Sequence, residues 1–99
     1  MGRHNLVLHI KQKWFDQIRY GIKTEEYREL KPYWISRIIR RAAELRGIVL
    51  IVGYPAESTA DNTMNLPWKG YEIKTILHEE FGDQPTKVIA IRLEVPYVR

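Results

Sequence analysis

Two kinds of residue spacing alternate along this chain of 99 residues. In five segments apolar and polar residues alternate at every second position, or apolar residues follow one another without a break. Both patterns are typical of β-strands. The segments span residues 5–10, 24–29, 48–54, 68–78 and 87–95. Two segments have the spacing of amphipathic helices. The order β-α-β-α-β-loop-β-turn-β predicts an α+β protein in which five or six strands close into a small barrel with two flanking helices.

The helix boundaries are marked by glycine and proline. The first helix begins near Lys11 and stops at Gly21, and the second runs from Lys31 to about Arg46, with Pro32 in its first turn. Gly47 lies just past its predicted end. The stretch 55–67 is rich in Ser, Thr, Asp and Asn and is predicted to be a polar loop.

Composition limits the class of protein. The chain is 44% hydrophobic and 28% charged, as expected of one globular domain covering residues 1–99. It has no cysteine, which excludes disulfides and thiol-bound metals and favours the cytoplasm. The longest apolar run is too short to cross a bilayer, so we expect no membrane association. The three histidines lack metal-ligand spacing, and we predict neither a metal nor a cofactor.

Charge points to an anionic partner. Lys and Arg number 16 against 12 Asp and Glu, which gives a formal net charge of +4. A basic protein attracts polyanions such as nucleic acids. The outer face of the second predicted helix is mostly basic, and it can be either solvated surface or part of an RNA path.

The strand at 24–29 carries unusual polar residues. Period-two geometry places Thr24, Glu26 and Arg28 on one face, and Lys23 lies at the strand's entrance. Since a strand needs one face against the core, at least one of these charges is expected to be partly buried. A buried charge must be paired or bound to a ligand. The group is therefore either a structural ion pair or a binding pocket.

Three segments carry a resemblance to a known family. Residues 8–28 read LHIKQKWFDQIRYGIKTEEYR and contain a G-x-K-T-x-E-x-R motif, while 31–34 read KPYW and 67–73 read PWKGYEI. This pattern resembles the ASCH family of PUA-like proteins, in its small bacterial and phage single-domain form. The resemblance covers most of the chain and implies a PUA-like β-barrel with a cleft.

The family resemblance implies several activities. Some ASCH proteins are RNA-binding modules, some are reported as ribonucleases, and a short bacterial branch hydrolyses the acetyl amide of N4-acetylcytidine. In that branch a lysine acts with a threonine and a downstream glutamate. Lys23 matches the lysine, but Glu26 occupies the position of the threonine nucleophile, which argues against the same deacetylation mechanism.

We therefore predict a cleft that binds RNA or a nucleotide-like small molecule. The predicted binding residues are Lys23, Thr24, Glu26, Arg28, Lys31, Tyr33, Arg37, Trp68 and Lys69. Tyr33 and Trp68 are the expected stacking platforms, whereas Trp34 and Tyr71 fit the core better. The first alternative is a ribonuclease or a modified-nucleoside amidohydrolase on the same cleft, with Lys23 and Glu26 as catalytic residues. The second is a protein-interaction module that uses the basic helix.

Overall fold

The computed structural model describes residues 2–54 and 57–95. Its strands are β1 (His4–Ile10), β2 (Glu25–Glu29), β3 (Leu45–Val52), β4 (Thr63–Pro67), β5 (Tyr71–Ile76) and β6 (Thr86–Arg92). Helix α1 spans Gln12–Arg19, and the single turn α2 (Pro32–Trp34) continues into a π-helix at Ile35–Ile39. Short 3-10 helices occupy Ala42–Glu44 and Glu79–Phe81.

The strands form two three-stranded sheets. One has the order β1-β3-β4 and the other β2-β6-β5. Among the described strands, β1 and β3 pair in parallel, and the other three pairs are antiparallel. One core joins both sheets and α1, and its buried residues are Leu6, Leu8, Ile10, Phe15, Ile18, Ile38, Leu45, Ile48, Leu50, Leu66, Ile89, Ile91 and Leu93.

The α+β class and most predicted elements are confirmed. The central strand β3 lies between β1 and β4, as its unbroken apolar run predicts. Gly21 ends the first helical segment with a φ of 76°, which is the conformation that glycine tolerates at such ends. Within residues 2–54 and 57–95 the two sheets are separate hydrogen-bonded units, so the predicted closed barrel is not shown.

The second predicted helix is wrong in its length. The apolar spacing of 31–46 suits a helix, but the structure has one α-helical turn, a π-helical segment and a 3-10 turn before β3 begins at Leu45. Gly47 is therefore inside a strand. A Cβ there would approach Asn5 Oδ1 to 2.8 Å and the Leu66 carbonyl oxygen to 3.2 Å. This glycine therefore allows close approach within the sheet.

The predicted loop 55–67 is also partly wrong. Its second half is β4, which pairs antiparallel with β3 from Ile51↔Thr63 to Gly47↔Pro67. Tertiary pairing overrides the local polar composition, because β3 offers a free edge on that side. Residues 55 and 56 of this prediction lie outside the described residues. Among the described helices, none has the length and apolar character needed to traverse a bilayer.

Candidate functional site

The entrance to β2 is shaped by a tight turn after α1. The backbone N–H groups of Ile22 and Lys23 both donate to the Gln17 carbonyl, at 2.8 and 3.1 Å. The positive φ of Gly21 lets the chain reverse there. The turn delivers Lys23 beside the inward face of β2, where Glu26 and Arg28 lie.

Three charged side chains meet on this inward face. Glu26 is a charged residue that is buried, with 5% of its surface exposed. One of its carboxylate oxygens accepts a hydrogen bond from Arg28 Nη1, and the other lies 3.7 Å from Lys23 Nζ. The Lys23 side chain is itself only 9% exposed. Two cations therefore share one buried carboxylate.

Arg28 connects the two sheets. Its Nη2 donates to the His9 carbonyl of β1 at 3.0 Å, and its Nη1 donates to the Tyr27 carbonyl at 3.0 Å. Its Nε is buried and has no hydrogen-bond partner among the described residues. The guanidinium carbon lies 5.2 Å from the ring centroid of Trp34. Arg28 is therefore held in place by backbone oxygens and an aromatic face as well as by Glu26.

Aromatic rings surround the charged groups. Lys23 Nζ lies 4.3 Å from the Tyr27 ring centroid and 5.2 Å from that of Trp14. His78 packs against both rings, with centroid distances of 5.3 and 5.1 Å, and Phe81 lies 6.0 Å from His78. These side chains come from α1, β2 and the segment after β5, so only tertiary folding assembles them.

A second carboxylate closes the rim. Glu80 accepts a hydrogen bond from Trp14 Nε1 at 2.9 Å and another from Lys11 Nζ at 2.9 Å. Both hydrogen bonds lower the pKa of Glu80 below its ordinary value, and the one from Lys11 has the larger effect. The Glu80 backbone N–H donates to His78 Nδ1 at 3.2 Å, which fixes that ring nitrogen as an acceptor.

Together these groups form a cleft of about 280 Å³, here called the central cleft. It is lined by Trp14, Lys23, Glu26, Tyr27, Arg28, Glu29, Lys31, Trp34, His78, Glu80 and Phe81. Burial lowers the pKa of Lys23 below its ordinary value, and the attraction of Glu26 only partly offsets that effect. A desolvated lysine in a cleft is typical of binding and catalytic sites.

The structure brings together four of the predicted binding residues. Lys23, Glu26, Arg28 and Lys31 line the central cleft. Lys31 is exposed at its mouth and lies 3.5 Å from Glu29. Tyr33 and Arg37 line a neighbouring cleft that shares Arg28 and Trp34 with the central one.

Three other predicted residues lie elsewhere. Thr24 is exposed, precedes β2 and lines an outer groove rather than the central cleft. Trp68 is partly buried against the core and lies near Tyr71, at a centroid distance of 6.4 Å. Lys69 is exposed and lies 3.9 Å from Glu94. Neither Trp68 nor Lys69 lines a described cleft.

Sequence reasoning missed much of the cleft wall. Trp14 on α1 is buried, with 7% of its surface exposed, and its indole N–H positions Glu80. Tyr27, His78, Glu80 and Phe81 were not predicted. The one available signal was the run of a histidine, two glutamates and a phenylalanine at 78–81, which ends an alternating strand with residues suited to a binding rim.

The described residues do not form a metal site at the cleft. No group of three or more His, Cys, Asp or Glu side chains in the described ranges could hold a metal ion. Comparison of the chain with protein-family models, curated proteins and solved structures finds no match. The resemblance to the ASCH family therefore remains a prediction that depends on the sequence segments alone.

Proposed function

We propose that the protein binds RNA or a nucleotide-like ligand in the central cleft, as an ASCH-type PUA-like module. One observation carries the proposal: Lys23, Glu26 and Arg28 are buried together between aromatic rings, in a cleft that stays open to solvent. A purely structural ion pair does not need two cations, an open cleft and an aromatic wall.

The cleft chemistry suits a single base. Tyr27, Trp34 and Phe81 offer apolar ring surfaces, on which nucleobases stack. Glu26 can accept a hydrogen bond from a base amino group, and Lys23 can donate to a base carbonyl. Such hydrogen bonds are stronger than those between neutral groups, because one partner carries a full charge.

The charge balance favours an anionic ligand. Lys23 and Arg28 oppose one carboxylate on the inward face of β2, and Glu80 is paired with Lys11. These five groups leave one positive charge in excess. Lys31 is exposed at the mouth but lies 3.5 Å from Glu29, which also lines the cleft, so this pair adds no net charge. A phosphate entering there would be attracted to the cleft.

The test is a titration with a matched control. A labelled single-stranded RNA is titrated with the wild type, Lys23→Met and Lys87→Met at several salt concentrations. Methionine keeps the packing of the lysine stem between Trp14 and Tyr27. Lys87 is exposed on β6 and lines no described cleft. Both variants lose the same charge.

We expect Lys23→Met to weaken binding by about 1.5 to 3 kcal/mol, roughly 10- to 100-fold, as the loss of a charged hydrogen bond predicts. Lys87→Met should bind nearly as the wild type does. Circular dichroism checks that both variants are folded. Equal affinities for the two variants would contradict the proposal and leave only nonspecific electrostatic binding.

A hydrolase on the same cleft is the second candidate. The lowered pKa of Lys23 beside the buried Glu26 favours it, because perturbed groups of this kind concentrate at active sites. Glu26 would take a proton from the attacking water and return it to the leaving nitrogen or oxygen as the amide or phosphodiester bond breaks, while Lys23 stabilises the developing negative charge. Thr24 is exposed outside the cleft and does not supply a nucleophile there.

Turnover separates the two candidates. RNA and acetylated cytidine are incubated with the wild type and with Lys23→Met, and the products are analysed by mass spectrometry. Product that forms with the wild type and not with Lys23→Met supports the hydrolase. Unchanged substrates at concentrations that saturate binding would leave the cleft as a binding site.

A further inference from the structure

A second cleft lies beside the central cleft and contains three of the predicted binding residues, Arg28, Tyr33 and Arg37. It measures about 540 Å³ and is here called the basic groove. Its lining residues are Asn5, Leu6, Val7, His9, Arg28, Tyr33, Trp34, Arg37, Arg41, Leu45 and Tyr54. Arg28 and Trp34 line both clefts, so they form the wall between them.

The charge of the basic groove is one-sided. Three arginines and one histidine line it, and none of the described lining residues is acidic. Since Arg28 is already paired with Glu26, Arg37 and Arg41 are the guanidinium groups that a ligand would meet here. The nearest acidic partner of Arg41 is Glu44, at 4.0 Å, in a pair whose side chains are about half exposed. Exposed pairs of this length contribute little, so Arg41 can exchange Glu44 for another anion.

Aromatic side chains lie beside the arginines of the groove. Arg37 packs over Tyr33, with its guanidinium carbon 4.4 Å from the ring centroid. Tyr33 also meets Trp34 edge-on at 4.8 Å, and Tyr54 meets His9 edge-on at 5.0 Å. Tyr33 and Tyr54 remain more than half exposed. Exposed rings beside guanidinium groups are the mixture that single-stranded nucleic acids bind.

An irregular helix places these groups in one row. Tyr33, Arg37 and Arg41 follow one another at intervals of four residues and all line the groove. The π-helical segment Ile35–Ile39 contains Arg37, and its wider turn is shown by the hydrogen bond from Arg40 N–H to the Ile35 carbonyl at 3.0 Å. Segments of π-helix are frequent at functional sites.

We propose that the basic groove is a second nucleotide subsite, so that the ligand is a single strand of at least two nucleotides. One base occupies the central cleft, and the chain passes over the Arg28–Trp34 wall. The adjacent nucleotide then places its base on Tyr33 or Tyr54 and its phosphate against Arg37 and Arg41. This inference rests on the proposed function of the central cleft.

The experiment compares short and long ligands. The probes are the four ribonucleoside monophosphates and a mixed-sequence RNA hexanucleotide. The groove variant is Arg37→Gln/Arg41→Gln. Its matched control is Arg40→Gln/Arg46→Gln, which makes the same change of net charge at two exposed positions that line no described cleft.

We expect the hexanucleotide to bind the wild type at least about tenfold more tightly than any monophosphate. The groove variant should lose most of this difference in affinity between the hexanucleotide and the monophosphates, while its affinity for the monophosphates is unchanged. Its plot of log affinity against log salt should be shallower by about 1.4, because each phosphate contact to a single strand contributes about 0.7. The control variant should keep both the gain and the slope.

Three results would overturn the inference. Equal hexanucleotide affinities of the groove and control variants would exclude the groove as a subsite. If the wild type shows no hexanucleotide gain while Lys23→Met abolishes monophosphate binding, the proposed function stands and the second subsite fails. If Lys23→Met leaves hexanucleotide binding unchanged while the groove variant abolishes it, the proposed function of the central cleft is wrong and the two clefts are not adjacent subsites.

Polyglutamate is added as a competitor, and resistance of the complex to it supports nucleotide recognition over general anion binding.

Discussion

The two faces of β2 carry similar charges in different surroundings. On the inward face, Glu26 is shared by Lys23 and Arg28, and these three side chains are 6%, 9% and 16% exposed. On the outward face, Glu25 accepts hydrogen bonds from Lys74 at 2.8 Å and from Tyr27 at 3.0 Å. The Glu25 and Lys74 side chains are 18% and 35% exposed.

The difference shows why the group of Lys23, Glu26 and Arg28, rather than the Glu25–Lys74 pair, is the candidate site. Lys74 is opposite Val88 in the β5–β6 register, so its bond to Glu25 reaches across β6 and satisfies both charges within the sheet. The inward group is more deeply buried, has two cations for one carboxylate, and adjoins two clefts. Burying such a group is costly, and this favours a ligand-binding role over a stabilising one.

The largest change in stability is expected from a substitution on the inward face of β2. Replacing Glu26 with glutamine leaves Lys23 and Arg28 close together in a buried space without their shared counter-charge. We expect the free energy of unfolding to fall by about 3 to 5 kcal/mol. Urea denaturation measures it, and Glu25→Gln is the matched control on the outward face, with a loss several times smaller. Equal losses would show that burial does not distinguish the two faces.

A second effect depends on pH. Since burial lowers the pKa of Lys23, the unfolded chain binds more protons than the folded protein between the lowered pKa and the ordinary value of 10.5. The stability of the wild type relative to Lys23→Met should therefore rise as the pH increases toward 10.5. Urea denaturation of both proteins across alkaline pH measures this difference. A relative stability that falls over that range would mean that Lys23 is stabilised as a cation.

The smallest change in stability is expected from a substitution on the outward face of β2, and it should disappear in acid. Burial raises the pKa of Glu25, but the hydrogen bonds from Lys74 and Tyr27 outweigh it, so the pKa is lowered from 4.5. Its stabilisation is therefore present above pH 4.5 and lost as the pH falls through the lowered value. Wild type and Glu25→Gln should differ modestly in thermal stability at pH 7 and converge in strong acid. A difference that persists unchanged in strong acid would contradict this assignment.

Local sequence patterns predicted the parts of the fold that depend on local rules. The alternation of Leu6, Leu8 and Ile10 matches their burial in β1, and Gly21 ends the first helical segment as expected. The pattern failed where pairing partners decide the structure. β4 reads as a polar loop until it is placed against β3, and the segment 35–44 reads as a regular helix although its turns are irregular.

The sequence alone determined that Glu26 and Arg28 share one strand face beside Lys23, because period two is a property of the extended backbone. It also determined the excess of positive charge. Only the tertiary structure decided that Trp14, Tyr27, His78 and Glu80 surround this group, since they come from elements far apart in the chain. It likewise packed Trp68 against the core, away from the central cleft, and formed the basic groove between β1 and the irregular helix. The physical reason is that spacing within one element fixes which side chains share a face, whereas the packing of elements fixes what each face meets.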